Sequence, residues 1–353
     1  MSDGNTRRNR KRSKTSKRYK IRYDRLLAAI LLLAAVAMVI SSCVNSCSPK
    51  SDLPADISTQ PSTTLSPSQS AIVDNLDPTN GSTPGIIQTK PTENEDEAVE
   101  KYSSEVHPFS DTYKGDLILI NSDHTYQFPE DDTDLVTMFD HMDKSCYGVC
   151  DLVTKLDSTA LSHLDSLMQG FIAEGNENDI TVIGGYRTLE EQNDKYNSGL
   201  SGFAGGSTDY HSARTFDIGI FPKDGSSSGY YSAFGNYSWI DEHASDFGFI
   251  VRFPEGKESY TGERARTYTY RYVGVPHAVY IKQNDLCLEE YIEELKKHKS
   301  SNPLEITAGN DLYNVYYVTA KPSGNTEVPV PKDKPYTISG DNAGGFIVSA
   351  LMN

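Results

Sequence analysis

Between residues 105 and 300 the apolar positions change period several times, and each change marks a new element. In "STALSHLDSLMQGFIAEGN" the residues Leu161, Leu164, Met168, Phe171 and Ile172 recur at three- and four-residue spacing. That period predicts an amphipathic helix, with Ser158 as its cap and Gly175 as its stop. "DITVIGGYRT" is a β-branched run closed by glycines, the pattern of a buried strand and a turn. "LEEQNDKYN" predicts a short helix, "TFDIGIF" a strand and "YSWIDEHASDFG" a helix ending at Gly248. "FIVRF" and "TYTYRYVG" predict two further strands, and Leu117, Ile118, Leu119 and Ile120 a short strand or extended segment.

Helices and strands mix without a regular strand–helix–strand alternation. The expected fold class is therefore α+β, a small mixed and mostly antiparallel sheet with flanking helices. Residues 301–353 alternate apolar and polar positions between Pro and Gly turns, which predicts a C-terminal β-rich extension.

The N-terminal third has a different character. Residues 1–25 hold eleven Lys or Arg against Asp3 and Asp24, and residues 26–44 open on the unbroken apolar run "LLAAILLLAAVAMVI". A basic flank before an apolar run predicts a cytoplasmic tail, a transmembrane helix and an extracytoplasmic remainder. "ISSC" also resembles a lipoprotein cleavage box with Cys43 as the lipidated residue, so a lipoprotein-type signal is the alternative. Residues 45–104 are rich in Pro, Ser, Thr, Asn and acids without any hydrophobic period. Such a segment cannot bury enough apolar surface to offset chain entropy, and a disordered linker is expected. The folded domain is then 105–300.

Charge narrows the partners. The formal net charge is −16 although the first 25 residues are strongly basic, so the folded part is very acidic and nucleic acid is not an expected partner. Of five cysteines, Cys43 and Cys47 flank the apolar run, while Cys146 and Cys150 share the spacing of one helical turn. Outside the cytoplasm that pair could be a disulfide, or two free thiols.

Five segments, in order, carry a family resemblance: "GGYRTLEEQNDKYN", "TDYHSARTFDIGI", "FGFIVRFPEGKESYTG", "TYRYVGVPHAVYI" and "LEEYIEEL". Together they resemble the VanY-type D-alanyl-D-alanine carboxypeptidases over about residues 115–295. The resemblance implies a small α+β domain with zinc in a cleft, trimming the terminal D-alanine from peptidoglycan stem peptides. The family's chemistry needs two His and one Asp on zinc, and a Glu to take a proton from water.

Matched residue by residue, only part of that set remains. Asp217 holds the Asp position. Tyr210 stands at the first His, with His211 one residue late; Thr269 stands at the second His; Arg266 stands at the general-base Glu. Arg187 matches the arginine with which the family grips its substrate. The expected pocket is Arg187, Tyr210, His211, Asp217, Arg266 and Thr269, with no catalytic residue, no metal and no cofactor. Arg266, aided by the Tyr210 hydroxyl, is expected to pair with Asp217 in place of the metal charge. Tyr186, Tyr268, Tyr270 and Tyr272 could also line the cleft, or pack as core.

Three functions are weighed. One is a membrane-anchored, catalytically degenerate module that holds a stem peptide. The second is an active zinc carboxypeptidase with shifted ligands, His211 and Asp217, and Glu263 as a distant base. The third is a structural cell-envelope ectodomain that meets a protein partner.

Overall fold

A computed structural model describes residues 101–130 and 134–353. The chain divides after Gly81, and all described residues lie in the second unit, Ser82–Asn353. The expected cytoplasmic tail, transmembrane or lipoprotein segment and most of the linker fall outside the described residues. Among the described residues no helix is long and apolar enough to cross a membrane.

The strands in chain order are β1 (Tyr102–Pro108), β2 (Leu135–Thr137), β3 (Gly148–Val149), β4 (Lys155–Asp157), β5 (Ile180–Gly184), β6 (Thr215–Ile220) and β7 (Gly229–Tyr230). They continue with β8 (Phe249–Phe253), β9 (Arg266–Tyr272), β10 (Leu304–Ala308), β11 (Asp311–Thr319), β12 (Asn325–Pro331), β13 (Tyr336–Gly340) and β14 (Gly345–Leu351). The helices are α1 (Met138–His141), α2 (Ser158–Ala173), α3 (Leu189–Asn197), α4 (Ser238–His243), α5 (Glu258–Thr261), α6 (Val275–Gln283) and α7 (Leu288–Leu295). The class is α+β. β1 starts at Tyr102, inside the segment read from sequence as linker.

The central sheet runs β3-β5-β6-β9-β8, with β7 added beside β6. Only β3 and β5 are parallel; the other pairs are antiparallel. Period-two alternation divides its faces. Phe216 and Ile218 of β6, Val182 of β5 and Tyr270 and Tyr272 of β9 join the core built on α2. Asp217 and Thr269 therefore point to the opposite face. α2 meets this core through Ala160, Leu161, Leu164, Leu167, Met168 and Phe171, all buried. Its cap is Asp157, one residue before the expected Ser158: the Asp157 carboxylate accepts from the backbone N–H of Thr159 and Ala160, each at 3.0 Å. α3 spans the predicted residues and is closed by a Thr188–Glu191 capping box.

The C-terminal residues form a four-stranded antiparallel sheet, β10-β11-β14-β13. On one face Val315, Tyr317 and Ile347 pack with Leu288, Tyr291 and Leu295 of α7. On the other, Tyr316, Phe346 and Val348 pack with Val328 and Val330 of β12. β12 pairs antiparallel with β1 from Tyr102↔Pro331 to Pro108↔Asn325.

Two local alternatives are decided. Leu117–Ile120 are buried but form no strand. Their backbone is satisfied instead by distant groups: the Leu119 N–H donates to the Asp341 carbonyl, and the Leu119 carbonyl accepts from the Asn342 amide. Cys146 and Cys150 flank β3 rather than sharing a helical turn, and both are free thiols.

Candidate functional site

Asp217 lies in β6 directly opposite Thr269 of β9. The Thr269 hydroxyl donates to Asp217 Oδ1 at 2.6 Å, and the Tyr210 hydroxyl donates to the same oxygen at 2.6 Å. Tyr210 belongs to a short 3-10 turn, Asp209–Ser212, that is buried throughout. That turn closes on Ala213 in the left-handed region, φ 58°, a conformation that costs a residue with a Cβ and that tertiary contacts must hold. Burial first, then the negative charge of Asp217, raises the Tyr210 phenol well above its ordinary pKa, so the hydroxyl is a donor at any physiological pH.

The other carboxylate oxygen faces Gly184. A Cβ there would come within 3.1 Å of Asp217 Oδ2 and 3.8 Å of Arg187 Nη2, so the missing side chain lets both groups approach one point. Arg187 lies over the Tyr210 ring, its guanidinium carbon 3.8 Å from the centroid. Its Nη1 donates to Gln192 Oε1 at 3.1 Å. Gln192 is fully buried in α3, and its amide donates to Ser201 Oγ and the Phe203 carbonyl, tying the 201–203 loop to the arginine. Gln192 thus fixes Arg187 from within α3.

Lys195, not identified from the sequence, comes to the same place from α3. Burial and the Arg187 charge lower its ammonium pKa, while Glu191 and Asp217 act in the opposite direction. Two cations, Arg187 and Lys195, therefore stand near one carboxylate in an otherwise acidic protein.

Arg266 does not make the expected pair. It forms no ion pair with Asp217; its guanidinium instead sits over Phe253, 4.2 Å from the centroid, and Phe203, 5.5 Å. Its Nε and Nη2 are buried without a hydrogen-bond partner. A planar, weakly hydrated guanidinium tolerates an aromatic shelf, and Phe253 lies opposite Arg266 in the β8–β9 register. The charge of Asp217 is met by two hydroxyls instead.

His211 is buried behind the site, not in it. Its Nδ1–H donates to the Arg187 carbonyl at 2.7 Å, and its Nε2 accepts from the Gly206 N–H at 3.0 Å. A backbone N–H can meet Nε2 only if that nitrogen carries a lone pair, so the ring is the neutral Nδ1–H tautomer. Burial lowers its pKa further from charging. Tyr126 stacks on the ring and Phe128 meets it edge-on. Of the remaining tyrosines, Tyr270 and Tyr272 are core residues rather than cleft residues, and Tyr268 is half-buried and stacked on Tyr230 at 4.3 Å. Glu263 lies past α5, its carboxylate 3.5 Å from where a Gly202 Cβ would be.

The site is supported from beneath by a buried charge network that sequence reading also missed. Asp209 accepts from Arg271 Nη1 at 2.5 Å and from Arg252 Nε at 2.9 Å. Arg252 then holds Glu289 of α7 with two nitrogens, at 3.0 and 2.7 Å. Arg271 Nη2 donates to the carbonyls of Asp116 and Ile118. All three of Asp209, Arg252 and Arg271 are buried, so the network fixes the turn that carries Tyr210.

These residues do not fit the zinc ion that the resemblance implies. Neither His211 nitrogen is free, Tyr210 and Thr269 offer hydroxyls already donating to Asp217, and a protonated Arg266 cannot act as a base. Among the described residues no three His, Cys, Asp or Glu side chains converge as a metal site.

The family profile described as VanY, D-alanyl-D-alanine carboxypeptidase, matches residues 153–275. A D-alanyl-D-alanine carboxypeptidase from Enterococcus faecium is 30% identical over 242 residues, covering 68% of this chain and 76% of the relative. A D-alanyl-D-alanine carboxypeptidase from Enterococcus faecalis (strain ATCC 700802 / V583) is 45% identical over 60 residues, 17% of this chain and 22% of that protein. In fold, the chain is similar to the crystal structure of the vancomycin resistance D,D-dipeptidase VanXYg in complex with a D-Ala-D-Ala phosphinate analogue. That likeness has a TM-score of 0.62 at 24% identity, over 71% of this chain and 99% of that one.

Proposed function

Starting from the finding that the chain belongs to the VanY family of D-alanyl-D-alanine carboxypeptidases, we propose that it is a non-hydrolytic member that binds peptidoglycan stem peptide. One observation carries this reading: the groups at the two His positions, Tyr210 and Thr269, are hydroxyl donors spent on the Asp217 oxygen that a metal would need. The one nearby imidazole has both nitrogens committed to the backbone. What the cleft keeps is its grip. Arg187 is held by Gln192 and the Tyr210 ring, ready to donate to a peptide carbonyl or carboxylate. The basic and apolar N-terminal sequence supports a membrane attachment, with the folded part in the cell envelope.

Elemental analysis of the purified chain, paired with D-alanine release from a stem pentapeptide, tests it. The expected result is zinc far below one per chain and no release. Zinc near one per chain with chelator-sensitive release would establish an active carboxypeptidase instead. Pull-down on peptidoglycan should succeed and weaken with Arg187→Ala; capture of a protein partner with no affinity for peptidoglycan would favour a structural ectodomain.

A further inference from the structure

Two apolar cores meet along β8 and leave a seam. Ala244, Phe249 and Tyr270 belong to the core built on α2, and Ile250 and Ile281 to the core that includes α7. All five line a cavity of about 190 Å³ enclosed by β8, β9, α6 and the 3-10 turn Ala244–Phe247. Tyr270 reaches this cavity, while its neighbour Thr269 bonds Asp217 on the opposite face of β9, so the cavity is separate from the candidate site. A dry apolar cavity of about 150 Å³ takes a benzene ring, and drug-sized ligands occupy about 300 Å³ or more. The volume therefore admits one ring with a short chain, and excludes a peptide or a nucleotide.

Most of the wall is apolar, but one side is not. Ser245 lines the cavity and is only 5% exposed, and its hydroxyl bonds to none of the described groups. That oxygen is not among the sealed, unpartnered atoms of the described residues, so a small molecule can still reach it. Asp241 stands on the same wall. Its Oδ1 accepts from the Tyr231 hydroxyl at 3.0 Å and from the Tyr270 hydroxyl, while no described group donates to its Oδ2. Lys282 also lines the cavity, but its ammonium donates to the backbone carbonyls of Asp241 and Glu242 at the end of α4. Asp246, Asp241 and Glu242 all act on that one ammonium, and Asp285 adds a further carboxylate to the lining. Lys257, the other cation that senses Asp285, is held by Glu290 at 2.8 Å. The local balance is therefore negative.

These features select one kind of occupant. An anion would meet Asp241 and Asp285. A wholly apolar molecule would cover the Ser245 hydroxyl without pairing it, which costs free energy. An ammonium has three donors, enough for the open carboxylate oxygen and the serine hydroxyl together. An attached ring would fill the apolar part against Ala244, Phe249, Ile281 and Leu286.

We propose that this chain carries a second binding site, at the seam between its two cores, for a small hydrophobic amine: a primary ammonium on Asp241 and Ser245, with a body of about one aromatic ring. The proposal is independent of the peptide-binding reading, because it uses no residue of that cleft.

The test is calorimetric titration of the full chain, with blank titrations subtracted, using four probes: phenethylamine, phenylpropionate, phenylethanol and methylamine. Phenethylamine is expected to bind at one per chain, about tenfold or more tighter than each of the others, the gain typical of a charge-assisted contact added to ring burial. Asp241→Asn keeps the shape and the acceptor for the two tyrosines but removes the charge. It should cost phenethylamine about tenfold in affinity and leave phenylethanol nearly unchanged. Leu286→Trp, which fills a half-buried wall position, should remove binding of both. Equal affinity of phenethylamine with phenylethanol or with methylamine overturns the proposal, as does tighter binding of phenylpropionate. Undiminished phenethylamine binding in both variants puts the amine elsewhere and overturns the site. No binding of phenethylamine at millimolar concentration overturns the proposal outright. The comparison of the four probes uses the unmodified chain, so it decides the matter even if the variants do not fold.

Discussion

Thr269 and Asp217 face each other across the β6–β9 ladder, and the threonine hydroxyl reaches the aspartate oxygen at 2.6 Å. Tyr210 brings a second hydroxyl to the same atom. One carboxylate oxygen is thus the acceptor of two neutral donors. Removing either donor should leave the other to carry the load. Tyr210→Phe and Thr269→Val are each expected to cost about 1–3 kcal/mol in urea unfolding. The double variant should cost more than the two added, because Asp217 then loses both donors; simple additivity would mean that the two hydroxyls do not share the oxygen.

Because both hydroxyls converge on one oxygen, their side chains are already aimed as ligands would be. Tyr210→His combined with Thr269→His should bind zinc at about one ion per chain by elemental analysis, well above the content expected of the unmodified chain. No gain of zinc in a folded double variant would show that these positions do not converge as described.

Asp209 sits between two buried guanidinium groups. Asp209→Ala leaves both without their shared carboxylate, and a loss of about 3–5 kcal/mol is expected from breaking such a buried pair. Chemical denaturation measures it. A change under 1 kcal/mol would mean that Glu289 alone suffices to balance Arg252 and Arg271.

His277 is buried between the Tyr291 hydroxyl, 2.7 Å from Nδ1, and the Ser349 hydroxyl, 2.9 Å from Nε2, and so joins α6, α7 and β14. Burial lowers its pKa from 6.5 to about 4. The folded value lies below the unfolded one, so the unfolded chain takes up the proton first as pH falls. Stability from this group is full above pH 6.5 and declines down to about pH 4, by roughly 3 kcal/mol in all. Denaturation midpoints should fall less steeply over that window in His277→Gln; identical slopes would remove His277 from the account.

Much of the fold could be read from residue patterns, and the reasons are local. The α2 stripe and the α3 capping box depend on spacing within one element, and both helices lie where their patterns place them. The Leu117–Ile120 run left a strand and an extended segment open, and no strand forms because a strand needs a neighbouring strand. Here the partners are the Asn342 amide, the Asp341 backbone and the Arg271 guanidinium, which no local pattern reveals. The tyrosines at alternate β9 positions could have faced either way; the register that sets Thr269 against Asp217 puts Tyr270 and Tyr272 in the α2 core. Among the site residues, Asp217, Tyr210 and Thr269 meet as their matched positions imply. Arg266 goes elsewhere because Phe203, delivered by a loop, and Phe253, across the ladder, offer it a surface. Lys195 gave no signal, since a lysine on a polar helix is ordinary until the fold brings it beside Arg187.

The pairing of β1 with β12 sets Ser103 against Val330, 227 positions further along the chain. The first strand among the described residues must wait for one of the last before its edge is covered. Closure of this module is therefore an event late in synthesis, and until then Tyr102–Pro108 is an open edge for which chaperones or neighbouring chains can compete.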